Sequence, residues 1–200
     1  ASVYGENWKE EYVVWDPAWG TGNLTRDYKF GELYVSTLNQ SDIDTANQMG
    51  YNPEATKFQY DFLNDDYEKL PEGLRKAIEE GRQIIVLMNP PYGRANEGGR
   101  TSTIQKGSAD TVVGTQMKDD KIGACSAQLY SQFLYRVNKM GIKNICFFST
   151  TKVLTGVSFN KLREKIEDSS EFKGGFIIDA SEFADVKSWA LSFSIFGQSK

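Results

Sequence analysis

Short apolar runs recur along this 200-residue chain, with polar, helix-patterned stretches between them. Runs rich in β-branched and aromatic residues lie at 12–15, 33–36, 57–60, 84–88, 144–149, 175–179 and 190–196, each the length of a strand. Helical spacing fills several of the gaps. Leu70-Pro71-Glu72-Gly73-Leu74-Arg75-Lys76-Ala77-Ile78 has a proline near its start, and Gly81 stands as its stop. Between Ala124 and Met140, Leu129, Phe133 and Val137 recur every four residues, and Gly141 closes the pattern. Phe159, Leu162 and Ile166 mark a further helical face. Seven strands alternating with helices predict an α/β chain with a doubly wound sheet and helices on both faces. The last strand departs from this scheme. Only Val186-Lys187-Ser188-Trp189 leads into Ala190–Phe196, too little for a crossover helix, so that strand is expected to pair antiparallel with its predecessor. From residue 93 to 121 the periodicity fades into Gly, Ser and Thr, which predicts a mobile loop carrying Arg94, Arg100 and Lys106, or an insertion without a role.

Composition narrows the picture modestly. Two hundred residues suit one domain with a sizeable core. No apolar run approaches the roughly 20 residues of a membrane span, and Ala1-Ser2-Val3-Tyr4-Gly5-Glu6 is not a signal peptide. Cys125 and Cys146 make neither a disulfide framework nor a metal cluster, so both read as core positions and a cytoplasmic setting is expected. There is no histidine, which excludes histidine triads, histidine zinc sites and histidine general bases; no metal is expected. The net charge of −4 is unevenly spread. Residues 1–80 carry 7 basic and 16 acidic side chains, and residues 81–200 carry 16 and 11. A basic second half is compatible with a phosphate-facing surface, and equally with scattered solvated lysines.

Two strand tips hold the candidate chemistry. After Ile84–Met88 come Asn89, Pro90, Pro91 and Tyr92. The prolines end the strand and remove two N–H groups, leaving a rigid tip at the carboxyl edge, where ligands bind in open α/β sheets. The Asn89 side-chain oxygen and the Pro90 carbonyl are two acceptors side by side, which suits an exocyclic NH2 group. Tyr92 can stack on the ring that bears it. A turn after a core strand is the plain alternative. After Tyr12–Trp15 come Asp16, Pro17, Ala18, Trp19, Gly20, Thr21, Gly22 and Asn23. The glycines allow a ligand close to the backbone. The third glycine of the dinucleotide fingerprint and the Lys-Ser/Thr pair of a phosphate loop are both missing.

Together, Asp-Pro-x-x-Gly-x-Gly-Asn followed by Asn-Pro-Pro-Tyr-Gly resembles the S-adenosylmethionine-dependent DNA adenine-N6 methyltransferases, in the gamma order of motifs found in restriction-modification systems. The resemblance runs from about Val13 to Phe196. It implies a class I methyltransferase sheet, seven-stranded and mostly parallel with one antiparallel strand. It also implies S-adenosylmethionine as cofactor, held by Asp16, Pro17, Ala18, Gly20 and Gly22, with Asn89 at the transferred methyl. Phe58-Gln59-Tyr60-Asp61-Phe62 looks like the family's third motif, with Asp61 accepting from the cofactor's adenine amine and Phe62 flanking its ring; a turn aspartate is the alternative. No carboxylate stands at the tip of the second strand, so either Asn39 substitutes at the ribose or Asp42 reaches back from a helix start. Asn89, Pro90, Pro91 and Tyr92 are the catalytic set, and the 93–121 loop would lie over the target pocket.

The expected partner is DNA, with the target base flipped from the duplex. The chain reads as one catalytic core, a fragment of a longer protein or one served by a specificity subunit or a fused target-recognition domain. Methylation of RNA or of a protein glutamine is the nearest alternative. A non-catalytic DNA- or cofactor-binding module of a restriction assembly is the alternative from another class.

Overall fold

The computed structural model describes residues 3–93, 111–179 and 190–198. Its strands stand on the apolar runs: β1 (Val13–Asp16), β2 (Glu32–Thr37), β3 (Thr56–Gln59), β4 (Ile84–Met88), β5 (Asn144–Thr150), β6 (Ser170–Asp179) and β7 (Ala190–Gln198). They form one sheet in the order β3-β2-β1-β4-β5-β7-β6. The pairs among β1 to β5 are parallel. β7 runs antiparallel to both β5 and β6, so it alone opposes the other strands. Both the number of strands and the antiparallel last strand agree with the expectation from sequence.

Alternation along the strands builds two apolar layers. Val13 and Trp15 of β1 face one layer with Ile84, Val86 and Met88 of β4, while Val14, Leu33 and Val35 face the other. On the first side pack α3 (Glu72–Glu79), α4 (Val112–Asp119), α5 (Leu129–Lys139) and α7 (Asn160–Glu167), through Leu74, Met117, Leu134 and Leu162 among others. On the second side lie α1 (Trp8–Glu11) and α2 (Gln40–Met49), through Trp8 and Ala46. A short helix, α6 (Lys152–Thr155), follows β5. Each large side chain buried in these layers contributes about 1.5–3 kcal/mol relative to an exposed one.

Three details differ from the sequence reading. Of the loop expected over 93–121, residues 94–110 lie outside the described residues, and α4 occupies most of the rest. The Thr111 hydroxyl caps it by accepting the Gly114 N–H at 2.8 Å, and Val113 and Met117 are buried four residues apart. Gly114 hid the helix from propensity, yet a β-carbon there would meet Thr111 Oγ1 at 2.7 Å and Gln132 Nε2 at 3.0 Å. The helix expected from Ala124 is a 3-10 turn to Ala127; Gln128 is extended, and α5 starts at Leu129. β6 begins at Ser170, because a bulge between Phe172 and Gly174 and two adjacent glycines mask its alternation.

Candidate functional site

Parallel strands β1, β2, β3 and β4 end at one edge, and each is followed by a segment that lines a cavity of about 370 Å³. Pockets of this size suit small-molecule ligands.

The segment after β1 does not form a helix. It crosses to β2 as irregular chain, tied by the Trp19 N–H to the Ser36 carbonyl at 3.0 Å. The buried Trp19 indole donates to Thr25 Oγ1 at 2.8 Å, and the Asn52 amide donates to the Thr25 and Tyr28 carbonyls, each at 3.0 Å. This network supplies polar partners that a crossover helix would otherwise provide from its own backbone. Pro17, Ala18 and Gly20 line the cavity. Gly20 has a φ of +53° and open space where a β-carbon would stand. Gly22, at φ +81°, lies against the Trp19 indole, which a β-carbon would meet at 3.0 Å; it shapes the turn and is not among the lining residues. Asp16 is also behind the wall, 1% exposed, with Oδ1 accepting the Ala18 N–H at 3.1 Å. Burial pushes its carboxyl up to about 8, against the pull of the Ala18 bond.

Thr37, Leu38 and Asn39 continue from β2 into the lining, joined by Asp42 from the first turn of α2. The Thr37 hydroxyl donates to Asp42 Oδ2 at 2.6 Å. A carboxylate therefore does stand at the β2 tip, folded back from the following helix.

After β3, Tyr60, Asp61, Phe62 and Leu63 form the next wall. Asp61 Oδ1 accepts the Leu63 N–H at 3.0 Å and Oδ2 accepts from the Asn64 amide at 2.8 Å, so Asp61 also organises its own turn. The Phe62 N–H meets no acceptor among the described residues. The Phe62 ring stacks on Phe133 of α5, centroids 4.7 Å apart, and meets Trp15 edge-on.

At the β4 tip, Asn89 and Pro91 line the cavity. Pro90 is buried and Tyr92 half-buried, neither lining it. The Tyr92 hydroxyl donates to Asn89 Oδ1, and burial pushes the phenol up to about 12. Its ring lies 6.3 Å from Tyr130, which stacks on Phe159. The Leu129 N–H donates to the Gly93 carbonyl at 3.1 Å, fastening α5 to this tip.

Eight of the residues expected to hold a cofactor thus border one cavity: Pro17, Ala18, Gly20, Asn39, Asp42, Asp61, Phe62 and Asn89. Asp16 and Gly22 stand behind it. Thr37, Leu38, Tyr60, Leu63 and Phe133 were not foreseen. The spacing of Leu129, Phe133 and Val137 marked α5 as a core helix and held no sign that one of its rings reaches a site. Among the described residues no group of three or more Cys, Asp or Glu could hold a metal ion, and no helix is long and apolar enough to cross a membrane.

No family model and no curated protein matches the chain by sequence. Solved structures do match. A protein from Listeria monocytogenes assigned as a class I S-adenosylmethionine-dependent methyltransferase aligns with a TM-score of 0.60 and 12% identity, over 96% of this chain and 55% of its own. A Pyrococcus horikoshii protein assigned as an RNA methyltransferase aligns at 0.53 and 14%, over 96% and 77%. An Escherichia coli prophage protein assigned as a DNA modification methyltransferase aligns at 0.52 and 15%, over 94% and 47%. The chain therefore spans about half the length of two of these proteins. The fold is that of class I methyltransferases.

Proposed function

We propose that this chain is an S-adenosylmethionine-dependent methyltransferase that acts on the N6 amine of adenine in DNA, within a restriction-modification system. The supporting observation is that Pro17, Ala18 and Gly20 of the first motif and Asn89 and Pro91 of the second border the same cavity. The prophage neighbour assigned to DNA modification agrees with that acceptor.

The lining suits the cofactor. The open space at Gly20 admits a ligand against the backbone. Asp42, oriented by Thr37, offers a carboxylate to ribose hydroxyls. Asp61 and the Phe62 N–H, which meets no acceptor among the described residues, offer an acceptor beside a donor, the complement of an adenine's amine and N1. Phe62 supplies an apolar face. When bound, S-adenosylmethionine supplies an electrophilic methyl group on a positively charged sulfur.

The chain's own part is to place the acceptor. The Asn89 side-chain oxygen and the Pro90 carbonyl accept the two N6 hydrogens, which turns the nitrogen lone pair out of ring conjugation toward the methyl. Tyr92 stacks on the flipped base. Its hydroxyl must leave Asn89 Oδ1 as the amine arrives. The N–C bond forms as the S–C bond breaks, and the surplus proton on nitrogen passes to water. Positioning supplies much of the rate. Sequence choice belongs in this reading to a specificity subunit or a fused target-recognition domain.

The test is incubation with methyl-labelled S-adenosylmethionine and unmethylated DNA, RNA or protein, followed by identification of the labelled product. N6-methyladenine in DNA is the expected result. Label confined to RNA or to glutamine would move the acceptor. Cofactor binding without transfer to any acceptor, also in the presence of a specificity subunit, would mark a non-catalytic module.

A further inference from the structure

Arg136 projects from α5 into the turn that follows β3, and nothing in the proposed chemistry calls for it. Its guanidinium donates to three groups of that turn: the Phe62 carbonyl, the Tyr60 hydroxyl at 2.9 Å and the Asp65 carbonyl at 2.6 Å. It also lies 5.5 Å from the Tyr60 ring centre and 5.3 Å from that of Phe62. Among the described residues it makes no ion pair. Its direct acceptors are neutral, and its charge is balanced at longer range by the carboxylates of Asp61, Asp65 and Asp66 in the same turn, against the cost of its partial burial.

The three acceptors bracket Asp61. Tyr60 precedes it and Phe62 follows. Asp65, whose carbonyl Arg136 holds, uses its carboxylate to accept the Asp61 N–H at 2.8 Å. One turn earlier on the same face of α5, Phe133 stacks on the Phe62 ring. The helix therefore fixes the turn twice, by a ring and by a forked cation. Asp61 and Phe62 both border the cavity; the Asp61 carboxylate accepts the Leu63 N–H and the Asn64 amide and has further lone pairs for a ligand, and the Phe62 N–H has no acceptor among the described residues. A lysine would bring the charge but not the fork that reaches several carbonyls at fixed angles.

We propose that Arg136 is a positioning residue for nucleobase recognition: it holds the 60–65 turn so that Asp61 and the Phe62 N–H read the amine and N1 of the cofactor's adenine. The proposal rests on the cofactor assignment above. Its test is titration calorimetry of the full chain with S-adenosylhomocysteine and with its deaminated form, S-inosylhomocysteine. Deamination turns the amine into a carbonyl and N1 into N1–H, reversing both partners at once. The wild-type chain should prefer the adenosyl ligand by about tenfold or more. Arg136→Met should weaken the adenosyl ligand by about 10- to 100-fold, move the inosyl ligand much less, and so collapse the preference. Arg136→Lys should fall between. A folded Arg136→Met chain that keeps the full preference overturns the proposal. If that variant does not fold, the same ratio in Arg136→Lys decides, and an unchanged ratio overturns it. A wild-type chain that binds both ligands equally removes base reading from this turn, and the role of Arg136 with it. One that binds neither overturns the cofactor assignment itself.

Discussion

Asn89 is the residue on which the proposed reaction turns, and its acceptor oxygen is already engaged by Tyr92. Replacing it with alanine removes the acceptor for the amine, so Asn89→Ala should lower kcat by about 10²–10³-fold and change cofactor affinity far less; retained turnover in a single-turnover assay would remove Asn89 from the chemistry. Asp16 lends itself to a test by pH. Its folded value of about 8 lies above its ordinary 3.8, so across that window the folded chain holds a proton that the unfolded chain has lost. Stability should fall as pH rises from the lower value to the upper and level off beyond it. Asp16→Asn keeps an oxygen for the Ala18 N–H and carries no charge. Its melting temperature relative to wild type should rise between pH 5 and pH 9, and a gap independent of pH would show that Asp16 does not titrate there. Much of the cavity wall could be read residue by residue, because proline and glycine mark where the chain turns after a strand, and in a parallel sheet those turns gather at one edge. Asp42 was harder. Whether a first-turn carboxylate points along its helix or back to the strand depends on the Thr37 hydroxyl, and local pattern does not reveal which partner the carboxylate takes.

Strands were the plainest elements to read, since each central strand is covered on both faces and shows as an apolar run. The edge strand β6, mostly exposed and broken by a bulge, showed only its second half. α4 was hidden by Gly114, where a β-carbon would meet the helix's own Thr111 cap at 2.7 Å and Gln132 of α5 at 3.0 Å. The crossing from β1 to β2 is the element with the most specific local chemistry, and Gly20 and Gly22 within it do different work. Both sit at positive φ, so a side chain strains the backbone at either; a β-carbon at Gly22 would also press on the Trp19 indole, whereas at Gly20 it would meet open space. Gly22→Ala should therefore cost about 1–3 kcal/mol of stability and Gly20→Ala less. The order should reverse for ligand affinity, because Gly20 borders the cavity and Gly22 does not. Thermal melts and S-adenosylhomocysteine titrations of both variants check this. Equal effects on both readouts would mean that the turn responds as one unit.

At the scale of the whole molecule, parallel strands gather every tip at one edge, and the charge asymmetry can be tested against that geometry. Lys161 at the start of α7 is exposed and donates to the Lys121 carbonyl at 3.0 Å, and Lys152 in α6 is exposed and follows the carboxyl end of β5, the strand paired with β4 and its Asn89 tip. Lys143 stands just before the amino end of the same strand, roughly 20 Å away at about 3.3 Å per residue. That separation exceeds the screening length of about 8 Å at physiological ionic strength, so the two ends act independently on a polyanion. If DNA docks over the carboxyl edge, replacing Lys152 and Lys161 with alanine should weaken binding at low salt. It should also reduce the slope of log K against log salt by about one for each phosphate no longer neutralised. Lys143→Ala should leave the slope unchanged. Fluorescence anisotropy across a salt series separates the cases. Equal slopes in all variants would mean that the lysines after β5 only solvate the surface, and that phosphate binding, like sequence choice, comes from another part of the assembly.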